Sequence, residues 1–112
     1  MTKKLDDLLQ NLSHILIDNK LKLSLCESCT GGLLSKLCTD ISGSSLWFKG
    51  SIVSYDNEIK EKIGVSEKTI KNFGAVSKET AMEMSKSALI LTDSDICLSI
   101  TGIAGPSGGT KE

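Results

Sequence analysis

The first segment whose residues could do chemistry is the run ESCTGG at residues 27–32. The hydroxyl of Ser28 becomes a nucleophile once a neighbouring base removes its proton. We expect a helix to begin near Thr30, and the free N–H groups of its first turn would stabilise a negative charge. Gly31 and Gly32 would let a ligand approach the backbone closely. Hydroxyls in such a turn also serve as ordinary helix caps, so spacing alone leaves both interpretations open.

A serine nucleophile needs a base, and a candidate lies in the second polar segment, YDNEIK at residues 55–60. A lysine can act as a base when burial lowers its pKa enough to leave it neutral. Lys60 follows a predicted strand end closely enough to reach the turn after a neighbouring strand. By spacing alone Lys62 has nearly the same claim, and nothing in the sequence brings the only histidine, His14, to the serine.

The third segment is a glycine-rich loop, TGIAGPSGG at residues 101–109. Glycines let a backbone wrap closely around a ligand, and such loops often hold phosphate. This loop lacks both the Gly-Lys-Ser/Thr ending of a P-loop and the usual dinucleotide fingerprint. It therefore indicates a ligand loop without identifying the ligand.

Cys26 and Cys29 form a Cys-x-x-Cys pair across the serine turn, which raises the alternative of thiol redox chemistry. A helix N-terminus lowers a thiol pKa. However, two glycines follow Cys29 directly, where a redox motif would continue into its helix with the second cysteine one turn on. Zinc would need a second ligand pair, and Cys38 and Cys97 do not form one, so we expect no metal.

The elements that position these segments alternate between helices and apolar strands. Hydrophobic periodicity and turn residues predict the following order: a helix over 5–17, a strand over 21–26, a helix over 30–40, a strand over 50–55, helices over 57–63 and 66–73, a longer helix capped by Ser77, and a strand over 96–100. The last strand has the continuous apolar character of a buried one. This alternation predicts an α/β domain with a mostly parallel sheet, whose ligands bind beyond the carboxyl ends of the strands.

Composition excludes several classes of protein. The 112 residues suffice for one domain, spanning 1–112, and the net charge of −1 argues against a nucleic-acid partner. No apolar run is long enough to span a membrane, so we expect no membrane association. The N-terminus turns acidic without the apolar region of a signal peptide, so we expect a cytoplasmic protein.

Five short blocks in this order resemble one family. They are ESCTGG at 27–32, GSSxWFxG at 43–50, YxNxxK at 55–60, GAVS at 74–77 and TGIAGPxGG at 101–109. Together they resemble the C-terminal domain of the competence/damage-inducible protein CinA, whose stand-alone forms are nicotinamide-nucleotide amidohydrolases. The resemblance implies a three-layer α/β/α fold and hydrolysis of the carboxamide of nicotinamide mononucleotide, without metal or cofactor.

The resemblance also implies roles for individual residues. By motif, Ser28 matches the nucleophile, Lys60 matches the general base, and Tyr55 matches a residue near that pair. The pocket lining corresponds to Thr101 and the loop that follows it, including Gly102 and Gly105. Backbone N–H groups near Thr30, Gly31 and Gly32 would hold the oxyanion and the substrate.

In the family the domain continues past the glycine loop, whereas this chain ends at Glu112. We therefore expect a sheet that is incomplete at its C-terminal side. Exposed apolar edges favour association, so we expect a homo-oligomer. The alternative function is a catalytically inactive family member that acts at most as a nucleotide-binding or interaction module.

Overall fold

A computed structural model of the chain describes residues 3–103, and in that range helices alternate with strands as the sequence predicts. In chain order the elements are α1 (Lys3–Asp18), β1 (Leu23–Glu27), α2 (Leu33–Thr39), a 3-10 turn (Ser44–Leu46), β2 (Phe48–Val53), α3 (Asn57–Ile63), α4 (Glu67–Phe73), α5 (Lys78–Thr92) and β3 (Ile96–Ile100). None of the helices within these residues is long and apolar enough to cross a membrane.

The strands form a parallel sheet in the order β2-β1-β3, with β1 at its centre. All five residues of β1 are buried. Glu27, its last residue, pairs with Val53 of β2 and with Ile100 of β3. The residues that follow β1 therefore lie between the residues that follow its two neighbours. This is the carboxyl edge at which ligands bind in sheets of this kind.

Helices cover the sheet on both faces, which confirms the predicted α/β/α class. Leu23 and Leu25 of β1 point to one face, where they pack in a buried cluster with side chains of α1 and α2 and with Trp47. Cys26 points to the opposite face. There it packs with Met84 and Ala88 of α5 and with Val65 of the turn before α4. Fully burying a leucine contributes about 1.5–3 kcal/mol, so these two clusters fix β1 in the middle of the fold.

The last strand departs from its predicted burial. Ile96 is 42% exposed and Leu98 is 51% exposed. They pair with Leu23 and Leu25 and therefore face the α1 and α2 side of the sheet. Only the opposite face of β3 is covered, where the Ser99 hydroxyl donates to the Ala81 carbonyl of α5 at 2.6 Å. An apolar run predicts burial on both faces, but in residues 3–103 the α1 and α2 layer leaves this face open.

The second helix also begins later than predicted. The expected cap was Thr30, but α2 begins at Leu33 after Gly32, which lies in the left-handed region with φ 105° and caps the helix without a side chain. By contrast, the predicted cap Ser77 is confirmed, because its hydroxyl accepts the Thr80 N–H. Three residues thus separate Ser28 from the N-cap and form a turn of their own.

Candidate active site

The structure brings Ser28 and Lys60 into contact. Lys60 Nζ donates to Ser28 Oγ at 2.9 Å, and the residues are only 1% and 5% exposed respectively. Ser28 is held just beyond β1, because its N–H donates to the carbonyl of Ile100 at 2.9 Å. Lys62, which spacing alone could not separate from Lys60, instead lies at the surface beside Glu58. Both lysines follow β2, but residues two positions apart project from different sides of a helix, and only Lys60 contacts Ser28.

The turn between β2 and α3 aims the Lys60 side chain inward. Asp56 caps α3 by accepting the Glu58 N–H, and the Lys60 N–H closes the first helical bond to the Asp56 carbonyl. The Lys60 side chain runs back toward the start of the helix. There its Nζ donates to the carbonyls of Ser54 and Tyr55, each at 2.8 Å.

Burial lowers the pKa of Lys60, because desolvation disfavours the ammonium form. The carboxylate of Asp56 acts in the opposite direction, but its effect does not outweigh that of burial. Within residues 3–103, no carboxylate makes an ion pair with this amine. The surroundings therefore shift Lys60 in the direction of the neutral amine, which is the form that a base requires.

Tyr55 contributes to this pair differently from the prediction. Its side chain is 65% exposed and points into solvent. Its backbone carbonyl does the contacting, accepting from Lys60 Nζ and, at 3.5 Å, from Ser28 Oγ. At this position the peptide oxygen, and not the phenol, contacts Ser28 and Lys60.

Glu27 has no role in the sequence-based prediction, but its buried carboxylate is a second centre of hydrogen bonds next to the serine. One oxygen accepts from the Thr30 hydroxyl at 2.7 Å and from the Leu34 N–H at 3.1 Å. The other accepts the Ser35 N–H at 2.9 Å and the Ser35 hydroxyl. Burial alone would raise the pKa of Glu27, but these hydrogen bonds outweigh it and hold the pKa below its usual range.

Hydrogen bonds within the protein occupy some of the N–H groups near the expected oxyanion site. In the first turn of α2 the N–H groups of Leu34 and Ser35 donate to Glu27 and are not open to a substrate. The N–H of Gly31 is also taken, since it donates to the Ser28 carbonyl at 3.1 Å. Within residues 3–103, the N–H groups of Cys29, Thr30 and Gly32 donate to no protein acceptor. The Thr30 side chain, expected to face substrate, donates to Glu27.

The end of β3 reaches the same edge of the sheet. The Thr101 hydroxyl donates to the Ala75 carbonyl at 2.8 Å, which ties the strand end to the loop before α5. A Cβ on Gly102 would lie 3.2 Å from Cys29 Sγ, so glycine lets this backbone lie against the turn that holds Ser28. Gly105, the remaining predicted pocket residue, lies outside the described residues.

Two cavities lie near these elements. One, of about 420 Å³, is bounded by Val76, Ser77, Lys78 and Thr101 and opens beside the end of β3. Another, of about 500 Å³, lies between the end of α3 and α5, and neither Ser28 nor Lys60 lines it. Ser28 and Lys60 do not line the first cavity either, and of the expected pocket residues within 3–103 only Thr101 borders it.

The cysteines give no support to the redox alternative. All four are free thiols. Burial raises the pKa of Cys26, the reverse of what a reactive thiol needs. Burial likewise raises the pKa of Cys38 to about 11. Nor do any three His, Cys, Asp or Glu side chains of residues 3–103 gather as a metal-binding group.

Comparisons with known proteins agree on one family. The family model described as "CinA C-terminal domain" matches residues 5–112. A CinA-like protein from Endomicrobium trichonymphae is 55% identical over 108 residues, which cover 96% of this chain and 25% of that protein. A CinA-like protein from Leptospira interrogans is 51% identical over 107 residues, covering 95% of this chain and 26% of that protein. This chain therefore spans about a quarter of the length of these curated relatives.

Solved structures show the same likeness. A competence/damage inducible protein, CihA, from Agrobacterium tumefaciens superposes with a TM-score of 0.93 at 36% identity, covering 99% of this chain and 68% of that one. A CinA superfamily protein from Escherichia coli superposes with a TM-score of 0.91 at 32% identity, covering 97% of this chain and 65% of that one. In both cases the likeness covers nearly all of this chain.

Proposed function

The chain belongs to the CinA C-terminal domain family, and on that premise we propose that it hydrolyses the carboxamide of nicotinamide mononucleotide. The products are nicotinate mononucleotide and ammonia, and Ser28 and Lys60 act as nucleophile and general base. The observation that carries the proposal is the buried contact of 2.9 Å between Lys60 Nζ and Ser28 Oγ. The substrate itself is suggested by the resemblance to nicotinamide-nucleotide amidohydrolases.

Lys60 Nζ donates to three oxygens in its charged form, and when it loses one proton it keeps two N–H groups and gains a lone pair. The two N–H groups match the carbonyls of Ser54 and Tyr55, each 2.8 Å from Nζ. The lone pair then faces Ser28 Oγ, whose proton it can accept. Because a carbonyl can only accept, the two backbone oxygens hold the amine in the orientation that a base needs.

The reaction follows as two acyl transfers. Ser28 Oγ attacks the carboxamide carbon while its proton passes to Lys60, and the resulting oxyanion is held by free N–H groups of the turn, those of Cys29, Thr30 and Gly32 being the candidates. The C–N bond breaks as Lys60 returns the proton to the leaving ammonia. Water then attacks the acyl ester with Lys60 again as base, releasing the nicotinate product and restoring Ser28.

The test is ammonia release from nicotinamide mononucleotide by the full chain. We expect turnover that Ser28→Ala and Lys60→Ala each abolish, because the first removes the nucleophile and the second its base. Lys62→Ala is the matched control and should retain turnover, since Lys62 is exposed and pairs with Glu58. If folded protein binds the nucleotide without turnover, or if turnover survives in Ser28→Ala, the proposed function is wrong.

A further inference from the structure

Glu27 directly precedes Ser28, and its carboxylate joins two parts of the chain that would otherwise be independent. Thr30, which follows Ser28 by two residues, donates its hydroxyl to one oxygen of this carboxylate. The N–H groups of Leu34 and Ser35 in the first turn of α2 donate to the two oxygens. The serine turn is thereby tied to a helix that packs on β2.

The backbone of Glu27 makes a second link, this time toward the lysine. Its carbonyl accepts the Ser54 N–H at 2.8 Å, and the Ser54 carbonyl in turn accepts from Lys60 Nζ. One residue therefore contacts both the turn that carries the nucleophile and the backbone that holds the base. Its side chain fixes the first of these, and its main chain fixes the second.

The position requires a carboxylate and not merely a polar group of that size. Each oxygen of Glu27 accepts a backbone N–H, one from Leu34 and one from Ser35. An amide in either orientation would set its NH₂ group against one of these N–H groups, and neither can reverse its role. Because the carboxylate is fully buried and its oxygens are occupied, it is not free to exchange a proton with substrate.

We propose that Glu27 is a positioning residue: it holds the Ser28 turn so that Ser28 Oγ stays within reach of Lys60 Nζ and the free N–H groups of the turn. The proposal rests on the function proposed above. It also reassigns Thr30, whose hydroxyl serves Glu27 and not the substrate. A displacement of the order of 1 Å at the reacting atoms can lower the rate about 100-fold, so the effect of Glu27 is expected on kcat.

The experiment compares two pairs of variants in the full chain. Glu27→Gln is paired with Glu83→Gln as its control. Glu83 lies in α5, and its carboxylate likewise accepts a backbone N–H and a threonine hydroxyl, those of Ser66 and Thr69 at the start of the short helix α4. Thr30→Val is paired with Thr92→Val, because both hydroxyls donate a hydrogen bond, that of Thr30 to the Glu27 carboxylate and that of Thr92 to the Ala88 carbonyl at the far end of α5. Ammonia release gives kcat and KM, and amide exchange at Gly31 reports on the turn itself.

We expect Glu27→Gln to lower kcat about 10- to 100-fold with KM nearly unchanged, and Thr30→Val to act in the same direction. Thr30→Ser, which keeps the hydroxyl, should restore kcat. Both control variants should retain kcat. Amide exchange at Gly31, whose N–H closes the turn on the Ser28 carbonyl, should be about tenfold faster in Glu27→Gln and unchanged in Glu83→Gln.

Two results would overturn the positioning role. The first is an increase in KM at constant kcat in Thr30→Val, which would return Thr30 to the substrate. The second is unchanged exchange at Gly31 in both Glu27→Gln and Thr30→Val. If the wild-type chain releases no ammonia, the proposed function has failed, and Gly31 exchange alone then decides whether Glu27 holds the turn.

Discussion

Lys60 allows a test of the site that needs no substrate, because the charge state of a buried amine affects the stability of the fold. The change is Lys60→Met, which keeps an unbranched side chain and removes the amine. Burial lowers the pKa of Lys60 in the folded chain, whereas a lysine in the unfolded chain titrates at about 10.4. Between these two pKa values the unfolded chain binds more protons, so the free energy of unfolding rises with pH.

The size of the effect follows from one proton. Where the folded amine is neutral and the unfolded one is charged, the free energy of unfolding rises by about 1.4 kcal/mol for each pH unit. The wild type should therefore gain stability relative to Lys60→Met as the pH rises toward about 10. Burial raises the pKa values of Cys26 and Cys97, which lowers the stability of the fold at high pH. Both proteins contain these thiols, so their contribution largely cancels when the free energy of unfolding of Lys60→Met is subtracted from that of the wild type.

The assay is urea denaturation of both proteins from about pH 7 to about pH 10, with the free energy of unfolding extrapolated to water. Lys62→Met is the control, because Lys62 is exposed and its loss should leave the pH dependence of the wild type intact. A difference between wild type and Lys60→Met that stays constant across this range would refute the reasoning. It would mean that the buried amine carries its proton as an ordinary lysine does.

The remaining predictions concern the rate, the core and the close approach beside the serine. Initial rates should give a kcat/KM for ammonia release that rises with pH through the lowered pKa of Lys60, because only the neutral amine can accept a proton; a rate that falls over this range would contradict the base role. Leu25→Ala should lower the free energy of unfolding by about 2–5 kcal/mol in urea titrations, since Leu25 is fully buried, whereas half-exposed Leu98→Ala should cost much less. Gly102→Ala should lower kcat, because its Cβ would press on Cys29 Sγ, and Cys29→Ala should restore it; equal kcat in Gly102→Ala and wild type would show that the contact yields freely.

The architecture could be predicted because it depends on patterns that extend over many residues. Apolar strands that alternate with helices dictate a parallel sheet, and in such a sheet every strand ends at the same edge. Ser28 and Lys60 follow two adjacent strands, so the sheet brings them together although 32 positions separate them in the chain. The resemblance adds the roles of these residues, which remain predictions.

The details that could not be predicted depend on single side chains and backbone groups that leave no periodic pattern or motif in the sequence. Glu27 was missed because a glutamate beside a turn is normally a surface charge, and because it binds N–H groups seven and eight residues onward, beyond the reach of local capping rules. The contribution of Tyr55 is a backbone carbonyl, and no side-chain motif can specify it. The exposure of Leu98 depends on what covers the sheet and not on the strand's own residues.

Ser28 and Lys60 belong to elements that differ in their local stability. Ser28 follows β1, which is bonded on both sides and buried along its whole length, whereas Lys60 belongs to α3, a helix of only seven residues that follows the outer strand β2. Regions with few buried contacts open at lower free energy than the centre of a domain. Warming should therefore detach the base from the nucleophile while the sheet is still folded, so that thermal inactivation precedes thermal unfolding.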